Sequence, residues 1–234
     1  MLYLIGLGID ERDITLKAVD AIKKCKIVYL ERYTSIGSDV GRIVNKNIIE
    51  IDRDFLEDGK EILERAKTDD VAVLIYGDVL FATTHISLVL DAEKQNIKVE
   101  IIHGISVFNY LGDIGLIMYN FGKTASISFN ESNVPFQILE QNLKLGMHTL
   151  ILLDLDPKNN KFFSINNALE YLIQKGMENR LVIACCRLGC KDAFIKAGKA
   201  KELLKIDFRN YPQCLIIPGD LHFIEEDALE RWKI

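Results

Sequence analysis

The feature that most constrains this chain is an alternation, through its first half, of short apolar runs with segments of helical period. "MLYLIGLG" (1–8), "IVYLERY" (27–33), "DVAVLIYGD" (70–78) and "KVEIIHGIS" (98–106) read as strands, and "NIIEIDR" (47–53) as a further short one. Between them, "DERDITLKAVDAIKKCK" (10–26) places Ile14, Ala18, Ala21 and Ile22 on one helical stripe. Asp13 is its expected N-cap, and Lys23, Lys24 and Lys26 suit the negative end of the helix dipole. "TSIGSDVGRIVNK" (34–46) reads as a loop leading into a helix, and "LEDGKEILERAK" (56–67) and "THISLVLDAEKQNI" (84–97) as helices. Strands that stay apolar at consecutive positions are buried on both faces, which predicts a mainly parallel sheet layered between helices.

The alternation is interrupted by the glycine-punctuated "GDIGLIMYNFGKT" (112–124), where a domain junction is expected, dividing the chain into 1–115 and 116–234. The second half reads as another α/β domain. Its strands are "ASISFN" (125–130), "HTLILLDLD" (148–156), "RLVIACCRLG" (180–189) and "CLIIPGD" (214–220). Its helices are "FQILEQNLKLG" (136–146), "INNALEYLIQKG" (165–176), the basic "KAGKAKELLKI" (196–206) and a terminal helix through Trp232. "DPKNNKFF" (156–163) reads as a loop inside this domain.

Composition narrows the function classes. A hydrophobic fraction of 49% supports a sizeable core, and a net charge of -5 disfavours generic nucleic-acid binding. No apolar run approaches the roughly 20 residues that span a bilayer. The apolar N-terminal run is short and lacks a basic flank, so a soluble cytoplasmic protein is expected. Cys25, Cys185, Cys186, Cys190 and Cys214 are odd in number and lie mostly in apolar segments, as free buried thiols do.

In open α/β sheets ligands sit beyond the carboxyl ends of strands, so those corners carry the chemistry. Gly6-Leu7-Gly8-Ile9 lacks the third glycine of a dinucleotide fingerprint and is followed by Asp10 and Glu11, which would repel a pyrophosphate. His85, His103, His148 and His222 form no metal-binding spacing, and the cysteines form no C-x-x-C pair. There is no nucleophile elbow, and Ser106 has no base nearby in sequence. What remains is the corner "LIYGDVLFATTH" (74–85), with one carboxylate, Asp78, and neutral hydroxyls. A carboxylate there suits a ligand with hydroxyl or ammonium donors. A plain turn at Gly77-Asp78, with Thr83 or Thr84 capping a helix, fits the same residues.

Six segments in order resemble one family over nearly the whole chain. They are "LYLIGLGIDERDITLKA" (2–18), "VYLERYTS" (28–35), "GDVLFATTH" (77–85), "FGKTASI" (121–127), "GMHTLILLDLD" (146–156) and "LIIPGDLH" (215–222). The chain thereby resembles the diphthine synthases, methyltransferases of the tetrapyrrole-methylase fold. The resemblance implies two α/β domains of that type with S-adenosylmethionine held in a cleft between them, and a homodimer. It implies methylation of the amino group of a 3-amino-3-carboxypropyl histidine on translation elongation factor 2, a step toward diphthamide. The family's cofactor positions fall on Ile9, Asp78, Phe81, Ser106, Val107, Leu153, Leu188 and Gln213.

Several positions depart from the family pattern. The first loop is one residue shorter, Val79 and Ile105 stand where proline and proline or alanine are usual, and Gln213 where histidine is common. Methyl transfer from a sulfonium needs neither metal nor covalent enzyme intermediate, since the electrophile is already activated and the protein aligns the amine and excludes water. No residue identifies itself as a catalytic base. Arg187, Lys123 and Arg12 are candidates for the substrate carboxylate, and the basic stretch Lys191 to Lys205 for the partner protein or a solvated face. The competing readings are a corrinoid-precursor methylase of the same fold and a non-catalytic nucleotide-binding protein.

Overall fold

Strand alternation sorts the side chains of the first half onto two faces of a parallel sheet, as a computed structural model describing residues 1–33, 35–37, 41 and 44–234 makes explicit. The loop and helix expected over 34–46 lie in part outside those residues. The chain forms two units: Met1–Phe108 with Pro157–Asn159, and Asn109–Asp156 with Asn160–Ile234.

In the first unit the strands are β1 (Leu2–Gly6), β2 (Ile27–Glu31), β3 (Ile49–Ile51), β4 (Val71–Ile75) and β5 (Val99–Ile102). They pair in the order β3-β2-β4-β1-β5, all parallel. Every residue of β1 and β4 is buried. Leu2, Leu4, Val71, Val73 and Ile75 belong to the core on one face, while Tyr3, Ile5, Ala72 and Leu74 belong to the other. Helix α1 (Leu16–Lys24) closes the second face with Ala18, Ala21 and Ile22. Helices α2 (Arg53–Asp58), α3 (Lys60–Thr68) and α4 (Ile86–Lys94) close the first. Each fully buried aliphatic side chain contributes about 1.5–3 kcal/mol, so this double burial is what selects the parallel arrangement.

Two expectations here are corrected. The N-cap of α1 is Thr15, whose hydroxyl accepts from Ala18 N at 3.1 Å. Asp13 is already engaged: its Oδ2 accepts from Ile9 N at 3.0 Å and Asp10 N at 2.9 Å, closing the loop before the helix. The single helix expected over 56–67 is two, because Gly59 adopts φ +60, a left-handed conformation that ends α2 and starts α3.

The second unit carries β6 (Ala125–Ile127), β7 (Thr149–Leu153), β10 (Leu181–Cys186), β11 (Phe194–Lys199) and β12 (Gln213–Ile217), in the order β11-β10-β12-β7-β6. Only β6 and β7 run parallel; the other pairings are antiparallel. Helices α5 (Leu111–Ile114), α6 (Val134–Lys144), α7 (Ile165–Gln174), α8 (Ala200–Leu203) and α9 (Phe223–Leu229) complete it. Leu139 of α6 and Ile165, Ala168, Leu169 and Leu172 of α7 share a core with Ile151, Val182, Ala184, Leu215 and Ile217.

The basic stretch 196–206 is mostly not helical. Its first residues extend β11, paired with β10 from Leu181↔Lys199 to Cys186↔Phe194, so Ile195 and Ala197 are buried while Lys199 is exposed. A strand partner outweighs the helical propensity of lysine and alanine there. Segment 156–163 is a small hairpin, β8 (Leu155–Asp156) against β9 (Lys161–Phe162), with Phe162 stacked on Tyr211 at 4.5 Å. Cys25, Cys185, Cys186 and Cys214 are buried free thiols and Cys190 is half-buried. Among the described residues no helix is long and apolar enough to cross a membrane.

Candidate functional site

Three strand ends of the first unit converge on one backbone knot. Gly8 N donates to Gly77 O at 3.2 Å and Gly77 N returns the bond to Gly8 O at 2.8 Å. Both glycines have left-handed φ, +81 and +77. Gly6 and Gly104 are held closer still: a Cβ on Gly104 would stand 2.3 Å from Gly77 O and 2.6 Å from Gly6 C. The corners after β1, β4 and β5 therefore touch backbone to backbone, an approach only glycine permits.

Asp78 locks that knot. Its Oδ2 accepts from His103 Nδ1 at 2.8 Å and from Gly104 N at 3.2 Å, and its Oδ1 accepts from Leu80 N at 2.9 Å. The Asp78 side chain is 15% exposed, while that of His103 is 66% exposed. A carboxylate offers about four lone-pair sites, so three donors leave room for one more. The turn reading of Gly77-Asp78 and the ligand reading are thus compatible. Neither threonine caps α4 through its side chain. Thr83 Oγ1 accepts from His85 N at 3.1 Å and donates to Val79 O at 3.3 Å, and the residue at the cap is His85, which makes no side-chain cap bond.

His85 is a structural histidine. Its Nδ1–H donates to Val79 O at 3.1 Å, which leaves Nε2 to accept from the Tyr33 hydroxyl at 3.4 Å. Burial pushes the Tyr33 phenol up to about 12, with Glu31 adding to the effect. Val79 is fully buried, so this apolar residue occupies its place in the turn as core.

Around Asp78 stand the other residues of the first unit. Ile9 is half-buried at the β1 corner, its N–H held by Asp13. Phe81 packs against Phe108 at 5.3 Å between ring centroids, and both rings are partly exposed. Ser106 is buried, with Oγ accepting from Phe108 N at 3.2 Å, and Val107 is half-buried beside it. Ile9, Asp78, Phe81, Ser106 and Val107 thus all lie on the strand-end corners of one sheet.

In the second unit the antiparallel pairing gathers Leu153, Leu188 and Gln213. Gln213 opens β12 opposite Cys186, two residues before Leu188, and Cys214 pairs with Leu152 beside Leu153. Leu153 and Leu188 are 8% and 6% exposed, so their side chains face the core more than a ligand. Gln213 is equally committed. Its Oε1 accepts from Ile165 N at 2.7 Å at the start of α7, and its Nε2 donates to Phe208 O at 3.0 Å and Asn210 O at 3.1 Å.

The candidates for binding a carboxylate separate clearly. The Arg187 guanidinium pairs with Asp192 at 2.8 Å and donates to Tyr211 O at 3.2 Å, so it braces its own loop. Lys123 and Arg12 are exposed. Among the described residues no cluster of three or more His, Cys, Asp or Glu side chains is arranged to hold a metal.

Sequence reasoning missed two histidine pairs. One is His103 with Asp78; its signal was a histidine directly before the close-packed Gly104. The other is His148 with Glu225, both fully buried, Nε2 to Oε1 at 3.0 Å. Those two are 77 residues apart, and no local pattern could join them.

Comparison with known proteins gives a consistent family. Residues 1–204 match the family model of the Tetrapyrrole (Corrin/Porphyrin) Methylases. A diphthine synthase of Methanococcus maripaludis is 40% identical, with 98% of each chain covered. One from Methanosphaera stadtmanae is 36% identical, covering 98% of this chain and 94% of the relative. A crystal structure of diphthine synthase superposes with a TM-score of 0.94 at 33% identity, covering 99% of this chain and 95% of that one.

Proposed function

The chain belongs to the tetrapyrrole methylases and, among them, to the diphthine synthases, and on that premise we propose that it methylates the amino group of a 3-amino-3-carboxypropyl histidine on translation elongation factor 2. It is an S-adenosylmethionine-dependent methyltransferase. The observation that carries the proposal is the match at 40% identity across 98% of both chains.

We assign the cofactor contacts to Ile9, Asp78, Phe81, Ser106 and Val107 in the first unit and to Leu153, Leu188 and Gln213 in the second. The residues suit such a ligand. A carboxylate with one open lone pair beside half-exposed aromatic and aliphatic side chains accepts a hydroxyl or ammonium donor next to an apolar ring system. Where side chains are already bonded or buried, as at Gln213, Leu153 and Leu188, the backbone is the surface the reading requires. S-Adenosylmethionine supplies an activated methyl group. The protein's own work is to hold the amine in line and keep water away. The proposal includes a homodimer and a cytoplasmic location.

The direct test is incubation with S-adenosylmethionine and elongation factor 2 bearing the unmethylated intermediate, followed by mass spectrometry of the modified histidine. Methyl gain at that residue is expected; gain only on a tetrapyrrole would move the assignment to the corrinoid-precursor reading. Asp78→Ala should weaken S-adenosylmethionine binding in calorimetry, both by loss of the carboxylate and by loosening the Gly104 corner. Unchanged affinity would remove Asp78 from the site.

A further inference from the structure

Methylation of an amine releases one proton for each methyl gained, and the chain carries a group placed to receive it. We propose that His103 is the proton acceptor of the transfer step, with Asp78 as its positioning residue. The inference rests on the methyltransferase reading above and adds the base which that reading lacked.

The geometry is that of a carboxylate–imidazole dyad. Asp78 is acceptor-only when ionised, so the 2.8 Å contact fixes the proton of the neutral ring on Nδ1. That leaves the Nε2 lone pair as the ring's remaining acceptor, on a side chain that is 66% exposed. Among the described residues Asp78 is the charged group within ion-pair distance of His103. The same Asp78 oxygen takes the Gly104 N–H, and Gly104 is interlocked with Gly6 and Gly77. The dyad therefore stands on a backbone that cannot move without breaking three close glycine contacts. His103 also directly precedes the segment holding Ser106 and Val107, so the imidazole and those assigned cofactor positions leave the same strand end.

The step balances simply. The amine nitrogen forms a bond to the methyl carbon, and the carbon–sulfur bond breaks with its electron pair remaining on sulfur. Before attack, the ammonium form of the amine gives its N–H proton to His103 Nε2, which frees the nitrogen lone pair, and His103 passes that proton to water. The Asp78 carboxylate, 2.8 Å from Nδ1, stays hydrogen-bonded to the imidazolium that forms and faces its charge.

Two measurements test this, one without turnover. In the protein alone, 15N NMR of the imidazoles should show His103 as the Nδ1–H tautomer when neutral. Asp78→Asn should release that tautomer preference, since an amide can donate to Nδ1 as well as accept from it. A neutral ring protonated on Nε2 overturns the proposal. In the elongation-factor assay, His103→Asn keeps a donor near the Nδ1 position but removes the base. It should slow transfer at neutral pH by about a hundredfold or more. Its rate should then climb with pH by about tenfold per unit, as hydroxide replaces the missing base. Imidazole should partly restore His103→Ala, while S-adenosylmethionine affinity of both variants stays near wild type. Full activity of His103→Asn beside an active wild type overturns the base assignment alone. A wild type that leaves the elongation factor unmethylated overturns both the function and the base.

Discussion

Glu225→Ala should unfold the second unit far more readily than a charged residue in a short helix near the end of the chain would suggest, because Glu225 is fully buried. Glu225 Oε1 accepts from Ile117 N at 2.7 Å and from His148 Nε2 at 3.0 Å, while Oε2 accepts from His222 N at 2.9 Å. His148 Nδ1 in turn accepts from Gly219 N at 2.9 Å, so the ring is neutral with its proton on Nε2. The carboxylate is thus a buried charge solvated by three N–H groups drawn from α9, the segment after α5 and the start of β7. Truncation strands two donors in the interior and one nearer solvent. With about 1–3 kcal/mol for each buried donor left without an acceptor, and water recovering part of the His222 bond, the loss is about 3–5 kcal/mol. For a unit of this size that lowers Tm by on the order of 10 °C. Glu225→Gln presents an amide N–H to one of the three donors and should lose about half as much. The pH dependence has a definite sign. Burial alone would raise the Glu225 pKa, but the His222 and Ile117 N–H groups and the His148 ring outweigh it and hold it low. A depressed carboxylate contributes stability that is fully present above its unfolded value and lost as pH falls through its folded value. Thermal unfolding of wild type and both variants from pH 7 down to pH 3 should therefore converge in acid. A Glu225→Ala protein within 1 kcal/mol of wild type at pH 7 would refute this account.

Three further outcomes follow from the same contacts. Gly104→Ala drives a Cβ to within 2.3 Å of Gly77 O, so it should cost about 1–3 kcal/mol and weaken S-adenosylmethionine binding in calorimetry; retained affinity and stability would show that the corner can relax. Gln213→Ala removes three hydrogen bonds between β12, the start of α7 and the 208–210 loop, and should lower unfolding free energy in urea by about 2–3 kcal/mol. The thiols should be inert in the folded protein. Burial pushes Cys25 up to about 11 and Cys186 up to about 12, and burial with help from Cys214 also holds Cys185 well above the ordinary thiol value. Half-buried Cys190 should therefore label first at pH 7, and rapid labelling of Cys25 would contradict the buried site.

Much of this architecture follows from local pattern alone. Continuous apolar runs at 2–6 and 71–75 carry the signature of strands buried on both faces, and each is a central strand of the parallel sheet. The stripe Ala18, Ala21, Ile22 predicts the buried face of α1, because helical period and core burial are the same fact seen twice. The order of short motifs identifies the family, since their glycines and acids mark strand ends wherever the chain puts them. The rest depended on partners distant in sequence. Lys199 joined β11, against its local propensity, because β10 offered a ladder. Asp13 became a loop clamp, with Thr15 left to cap α1, because Ile9 and Asp10 turned their N–H groups toward it. Asp78 stands out in the sequence as the lone carboxylate of its corner, but its task of orienting His103, 25 residues away, exists only once β4 and β5 flank β1. Periodicity encodes which face a side chain takes; hydrogen bonds between strand ends depend on which strands become neighbours, and only the folded sheet decides that.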